Sequence, residues 1–208
     1  MISKGVVWTL ININLTISLL RDTNMKSSIQ YCGFLRGINV GGNVLIKMAD
    51  LKKIFEKMDF KNVQTILASG NIIFETEMAD KKKLTDEIEM ELKKIFKKEI
   101  QIVLRSLDEL NKLQKVEPFK NIKVTPDIRR YVTFFSEKTK AKTITIPYSS
   151  GLGEFSIIEA TPLEVFTVLD LSKGKGTVDY MSFLEKEFGP KITTRNWNTI
   201  EKILNQKK

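Results

Sequence analysis

Residues 63–75 read VQTILASGNIIFE. Two short runs rich in β-branched and aromatic residues flank Ser69-Gly70-Asn71, a turn signal, so the stretch predicts a β-hairpin. Its surroundings decide the fold. Upstream, Ile29–Arg36 (IQYCGFLR) reads as a strand, and Met48–Met58 (MADLKKIFEKM) places Leu51, Ile54, Phe55 and Met58 at helical spacing. Downstream, Leu84, Ile88, Leu92, Ile95 and Phe96 mark a second helix, and Ile100–Arg105 (IQIVLR) a fourth strand. The order is β-α-β-β-α-β, the ferredoxin-like plait.

Ser106 then opens a linking helix, with Glu109 three residues on as a capping box. Pro118 and Pro126 bracket a connector. Further strands are expected at Tyr131–Ser136, 155–159, 164–169 and near Ile192, with helices near 137–143, at 178–188 and from Asn196 to Gln206. The second half thus reads as another β-α-β-β-α-β. The predicted fold class is α+β: two tandem ferredoxin-like subdomains, with architecture repeated and no obvious repeat of residues. The expected divisions are an N-terminal extension over 1–24, a first subdomain over 25–105, a linking helix and connector over 106–128, and a second subdomain over 129–208.

A plait covers one sheet face with its helices; the other must be solvated or meet a partner. On the first strand that second face carries Gln30, Cys32, Phe34 and Arg36, and on the neighbouring fourth strand Gln101, Val103 and Arg105. This half-polar face is expected to meet the second domain or a ligand.

The chain has 208 residues, no His and one Cys. Without histidine, Ser-His-Asp, Cys-His and His-metal mechanisms are excluded. One cysteine excludes an internal disulfide and a Cys-based zinc site, and Cys32, inside a strand, reads as an inert buried thiol. No paired carboxylates and no metal-ligand spacing stand out, so no metal or cofactor is expected; catalysis without histidine stays open, with no nucleophile or base to name. The net charge is +9. That is compatible with polyanion binding, but residues 80–98 intermix seven Lys with five acids, which reads as a solvated helix face. Residues 6–20 (VVWTLININLTISLL) are apolar, yet too short for a stable membrane span and without a small-residue cleavage site. Met25 reads as a sufficient start.

Gly37–Asn43 (GINVGGN) is a glycine-rich loop ahead of a helix, where backbone N–H groups favour an anion. Gly37 and Gly42 have P-loop spacing, but Asn43 and Val44 stand where Lys and Ser/Thr are needed; the dinucleotide spacing is absent. Lys47 lies just before the helix. Leu171–Thr177 (LSKGKGT) is a second glycine-lysine loop and also fails the P-loop pattern. Residues 193–199 (TTRNWNT) form the densest polar cluster: Thr194 or Asn196 suits a helix cap, and Arg195 at that position opposes the helix dipole. Such a cation is expected to be solvated or held by an anion or carboxylate. Trp197 reads as core.

Three segments, FLRGINVGGN, IKMADLKKIFEKMDFKNVQTILASGNIIFE and TTRNWNTIEKIL, resemble in order the family called domain of unknown function 1697, over about residues 25–205. The resemblance implies a small bacterial cytoplasmic protein of two ferredoxin-like subdomains, with no established activity. It places the family's polar motif on Arg36, Gly37, Asn39, Gly41, Gly42, Lys47, Ser69, Gly70, Asn71, Arg195, Asn196, Trp197 and Asn198. Leu67-Ala68 depart from the family pattern.

The resulting expectation is an anion-accepting crevice for a phosphate- or carboxylate-bearing small molecule. Its walls are Arg36, Gly37, Asn39, Gly41, Gly42, Asn43, Lys47, Arg195 and Asn196, with Ser69, Asn71, Trp197 and Asn198 as further candidates. The alternatives are non-specific nucleic-acid binding through the basic surface and a protein interaction module.

Overall fold

The computed structural model describes residues 28–39, 44–174 and 177–206. The expected N-terminal extension, and Gly41, Gly42 and Asn43 of the first glycine loop, lie outside these residues. The fold is mixed α+β, with two antiparallel sheets and five α-helices among the described residues.

The first sheet holds β1 (Ile29–Leu35), β2 (Lys61–Ile66), β3 (Asn71–Thr76) and β4 (Ile102–Ser106), in the order β2-β3-β1-β4. Helix α1 (Met48–Lys57) follows β1 and α2 (Lys81–Phe96) follows β3. Leu51 and Phe55 of α1 and Leu84, Ile88 and Leu92 of α2 pack on Tyr31, Leu35, Ile72, Phe74, Ile102 and Leu104. These side chains share one sheet face because strand residues alternate. The turn after β2 is built on Gly70, whose φ of 75° only glycine adopts freely. Any Cβ there would sit 2.7 Å from Ile38 Cδ1.

Helix α3 (Leu107–Val116) starts at the predicted capping box: the Ser106 hydroxyl accepts from the Glu109 N–H, and Glu109 accepts from the Ser106 N–H. The second sheet holds β5 (Ile128–Phe135), β6 (Tyr148–Ser149), β7 (Phe155–Ala160), β8 (Glu164–Asp170) and β9 (Ile192–Asn196), in the order β6-β7-β8-β5-β9. Helix α4 (Thr177–Phe188) covers its outer face through Tyr180, Leu184 and Phe188. Helix α5 (Trp197–Asn205) ends the described fold.

The helix expected near 137–143 is absent; the chain there is irregular and leads to the short edge strand β6, which the sequence pattern did not indicate. The segment KTKAKTITI is rich in Thr and Ile, whose branched side chains resist helix formation. A carboxylate does the holding instead. Glu187 of α4 accepts the N–H groups of Lys142 and Thr143 and the Thr143 hydroxyl.

The second face of the first sheet meets the second sheet. Cys32, Phe34, Ile73 and Val103 pack with Val132, Phe134 and Phe166, and α3 and α5 close the sides through Leu107, Leu110, Trp197, Ile200 and Ile203. Trp197 lies edge-on to Phe119 and Phe166, at 5.3 and 6.1 Å between ring centres. This face, expected to meet a second domain or a ligand, packs on the second sheet.

Candidate functional site

Two buried arginines cross between the sheets in opposite directions. From β4, Arg105 donates through Nε to Glu164 at 2.8 Å. Its Nη2 donates to the carbonyls of Phe135 and Leu163, and its Nη1 to that of Leu104. From β9, Arg195 donates through Nε to Asn71 Oδ1 at 2.6 Å. Its Nη2 reaches the carbonyls of Leu35 and, at 3.4 Å, Gly70; its Nη1 reaches the Thr193 hydroxyl and the Thr194 carbonyl.

Strand register makes the two equivalent. Arg105 stands opposite Cys32 on β1, and Arg195 opposite Val132 on β5. Their acceptors match too: Asn71 is opposite Phe34, and Glu164 opposite Phe134. Each guanidinium lies over a phenylalanine, Arg105 over Phe134 and Arg195 over Phe34, at 5.2 and 5.4 Å. The two sheets therefore carry matching residues at matching register positions where they meet.

Arg195 corrects one expectation. It is neither solvated nor held by an anion or carboxylate. All five N–H groups of its guanidinium donate to neutral oxygens inside the protein. Burial lowers its pKa to about 10. It lies on β9 rather than in the helix, and Asn196 supplies the cap by accepting from the Asn198 N–H.

The other candidates divide into separate settings. Asn39 is a staple: its amide oxygen accepts the Ile46 N–H, and its Nδ2 donates to the carbonyls of Ile46 and Ala68. Asn71 is fully buried, donating to the Ile66 carbonyl and the Ser69 hydroxyl while accepting from Arg195. Leu35, Gly70 and Asn71 thus gather around Arg195. Trp197 is core, and Asn198 accepts from Arg130. Lys47 is exposed at the N-terminal cap position of α1. Gly37 has a φ of 66° and open space around it. Cys32 is buried, and burial pushes its thiol pKa well up.

Arg36 differs. It lines a cleft of about 520 Å³ between the two sheets, a size suited to a small molecule. Its Nη1 donates to Gln101 Oε1 at 3.1 Å and its Nη2 to Glu185 at 2.6 Å. Lys81, Lys82 and Lys191 also line the cleft, as do Asp86, Glu89 and Glu137; Ile102, Leu104 and Leu163 supply apolar wall. Glu89 accepts the Ile102 N–H at 2.9 Å on the free edge of β4. Burial raises its carboxyl pKa, against the opposing effect of that hydrogen bond. The edge is occupied further along, where Glu109 takes the Ser106 N–H and Arg105 the Leu104 carbonyl. It is a guarded edge, poorly suited to pairing with a peptide strand.

Lys81, Lys191 and Glu89 were not legible as cleft residues in the sequence. Lys191 reaches the cleft only because β9 borders β5, which brings its carbonyl to the Ser136 N–H. Lys82 and Lys83 pair with Asp86 and Glu87 one turn on, as the intermixed charge of 80–98 suggested. Among the described residues no helix is long and apolar enough to cross a membrane, and no cluster of three His, Cys, Asp or Glu side chains is placed to hold a metal.

The fold is similar to a solved structure, the conserved bacterial protein SP0830 from Streptococcus pneumoniae. The TM-score is 0.66 at 21% identity, covering 88% of this chain and 100% of that one. No curated protein matches. The model of the DUF1697 family, described as protein of unknown function, matches residues 29–149, from β1 through β6 and so across Arg36, Asn39 and the hairpin turn; the chain belongs to that family.

Proposed function

We propose that this protein binds a small carboxylate- or phosphate-bearing molecule in the cleft between its two sheets, with Arg36 as the principal anion contact. The observation that carries this reading is the convergence of Arg36, Lys81, Lys82 and Lys191 on one 520 Å³ cleft. Arg36 spends two of its five donors on Gln101 and Glu185, and the Glu185 pair is half-exposed. Exposed pairs are worth at most about 1 kcal/mol, so an incoming anion competes with Glu185 at little cost. The cleft lies between the two sheets, and on a two-domain reading that is a domain boundary, where ligand sites concentrate. The reading keeps Arg36 from the sequence-level crevice and moves its second wall from Arg195 to Lys81 and Lys191.

The domain reading behind it is of two ferredoxin-like units joined by α3 and the connector, the second having lost its first helix. It is supported by the strand order β2-β3-β1-β4 and the matching β7-β8-β5-β9.

The test is a thermal-shift series with inorganic phosphate, citrate and acetate at low ionic strength, on the native chain and Arg36→Ala. Specific binding raises the melting temperature with concentration, and the rise disappears in the variant. Identical shifts in both proteins would overturn the reading.

A further inference from the structure

We propose that the ligand of this cleft is a zwitterion, a small molecule carrying an ammonium and a carboxylate a few bonds apart, of the free amino acid class. The inference rests on the anion-cleft reading and adds to it the second charge.

The cleft is not uniformly basic. Arg36, Lys81 and Lys191 share it with Asp86, Glu89 and Glu137. A polyanion entering it would meet three carboxylates, and a simple cation would meet the lysines and Arg36. Lys81, Lys82 and Lys191 already pair with Glu109, Asp86 and Glu137, so a molecule with one charge of each sign would meet chiefly the spare donors of Arg36 and the carboxylate of Glu89.

Two charges of opposite sign are fixed to consecutive residues. Arg36 is tied to Gln101 twice, by its Nη1 to the side-chain oxygen and by its main-chain N–H to the carbonyl. Glu89 is tied to the next residue by the Ile102 N–H. A guanidinium and a carboxylate are thus both held at the start of β4 and both line the cleft. A small molecule that carries an ammonium and a carboxylate offers each of them an opposite charge.

Glu89 has its own reason to want a cation. Burial disfavours its charged form, and Lys191 acts on it only through space. A ligand ammonium would restore part of the lost solvation as a charge-assisted hydrogen bond. The apolar wall of Ile102, Leu104 and Leu163 offers the ligand's side chain a dry surface.

Calorimetric titration of the native chain with the common amino acids, and with N-acetylleucine and leucinamide, tests this. The expected result is binding by at least one free amino acid, with leucine tighter than both derivatives by tenfold or more. Glu89→Gln keeps an acceptor for the Ile102 N–H; it should erase leucine's advantage while leaving N-acetylleucine unchanged. If N-acetylleucine binds as well as leucine, the zwitterion inference falls and the anion-cleft reading stands. If none of these molecules binds while citrate or phosphate does, the inference falls alone; if no anion of any kind binds, both fall.

Discussion

The rings of Phe34 and Phe134 stack at 4.6 Å between centres with 11° between planes, and each carries an arginine from the opposite sheet on its flank. They occupy matching places on β1 and β5, so the stack sits where the two sheets meet. Removing either ring empties a fully buried position and strips one guanidinium of its π-face. Phe34→Ala and Phe134→Ala should each cost about 3–5 kcal/mol. In a chain of this length that is a fall of roughly 10 °C in melting temperature. Calorimetry on both variants checks it, and a loss under about 1 kcal/mol would mean the sheets are held elsewhere.

The two arginines differ in what they face, and the difference predicts unequal repair. Arg105 faces the Glu164 carboxylate, whereas Arg195 faces the Asn71 amide. Arg105→Met should strand Glu164 as a buried unpaired charge, at about 3–5 kcal/mol. Adding Glu164→Gln should recover much of that, because the amide no longer needs a cation. Chemical denaturation of the single and double variants gives the coupling directly. Arg195→Met leaves only neutral acceptors unsatisfied, so no single second change should rescue it comparably.

How much of this was readable in advance follows from range. The first sheet was legible because its signals are local: alternation on β1, the Ser69-Gly70-Asn71 turn, and helical spacing in α1 and α2. The capping box at Ser106 was legible for the same reason. Arg105 is a strand-end cation on a half-polar face, and that face packs on the second sheet. Arg195 is legible as an oddly placed cation but its setting is not, because Asn71 and Leu35, which accept from it, lie 124 and 160 residues away in sequence. The repeat of residues was hidden because it consists of single positions separated by unlike loops. The helix expected near 137–143 rests on the repeated pattern alone, and the poor helix propensity of its Thr-rich sequence prevails.

Asn39 holds the start of the glycine loop against the β2–β3 turn, with one amide making three hydrogen bonds to Ile46 and Ala68. Its φ of 56° is tolerated by Asn and costly for Ala. Asn39→Ala should lose about 1–3 kcal/mol through the unsatisfied main-chain groups and the strain. Asn39→Gly removes the strain but not the lost bonds, so it should recover part of the stability only. Urea melts of the pair separate the two contributions; equal stability of both variants would leave the strain component without support.

The loop that replaces the expected helix depends on an ionised carboxylate, which makes its anchoring sensitive to acid. The Glu187 carboxyl is held below the ordinary range, first by the Thr143 hydroxyl and then by the N–H groups of Thr143 and Lys142. Its unfolded pKa is about 4.3. A carboxyl whose folded pKa is depressed binds fewer protons in the native state. Its stabilisation is therefore fully present above the unfolded value and is lost as pH falls through the folded one. Glu187→Gln keeps an oxygen for the two N–H groups and cannot titrate. It should be less stable than the native chain at pH 7 and lose less stability between pH 5 and pH 3. Hydrogen exchange of the Lys142 and Thr143 amides reports the same event locally, with native protection falling across that interval and the variant's staying level. Protection that falls alike in both proteins would show that the loop opens for some other reason than protonation of Glu187.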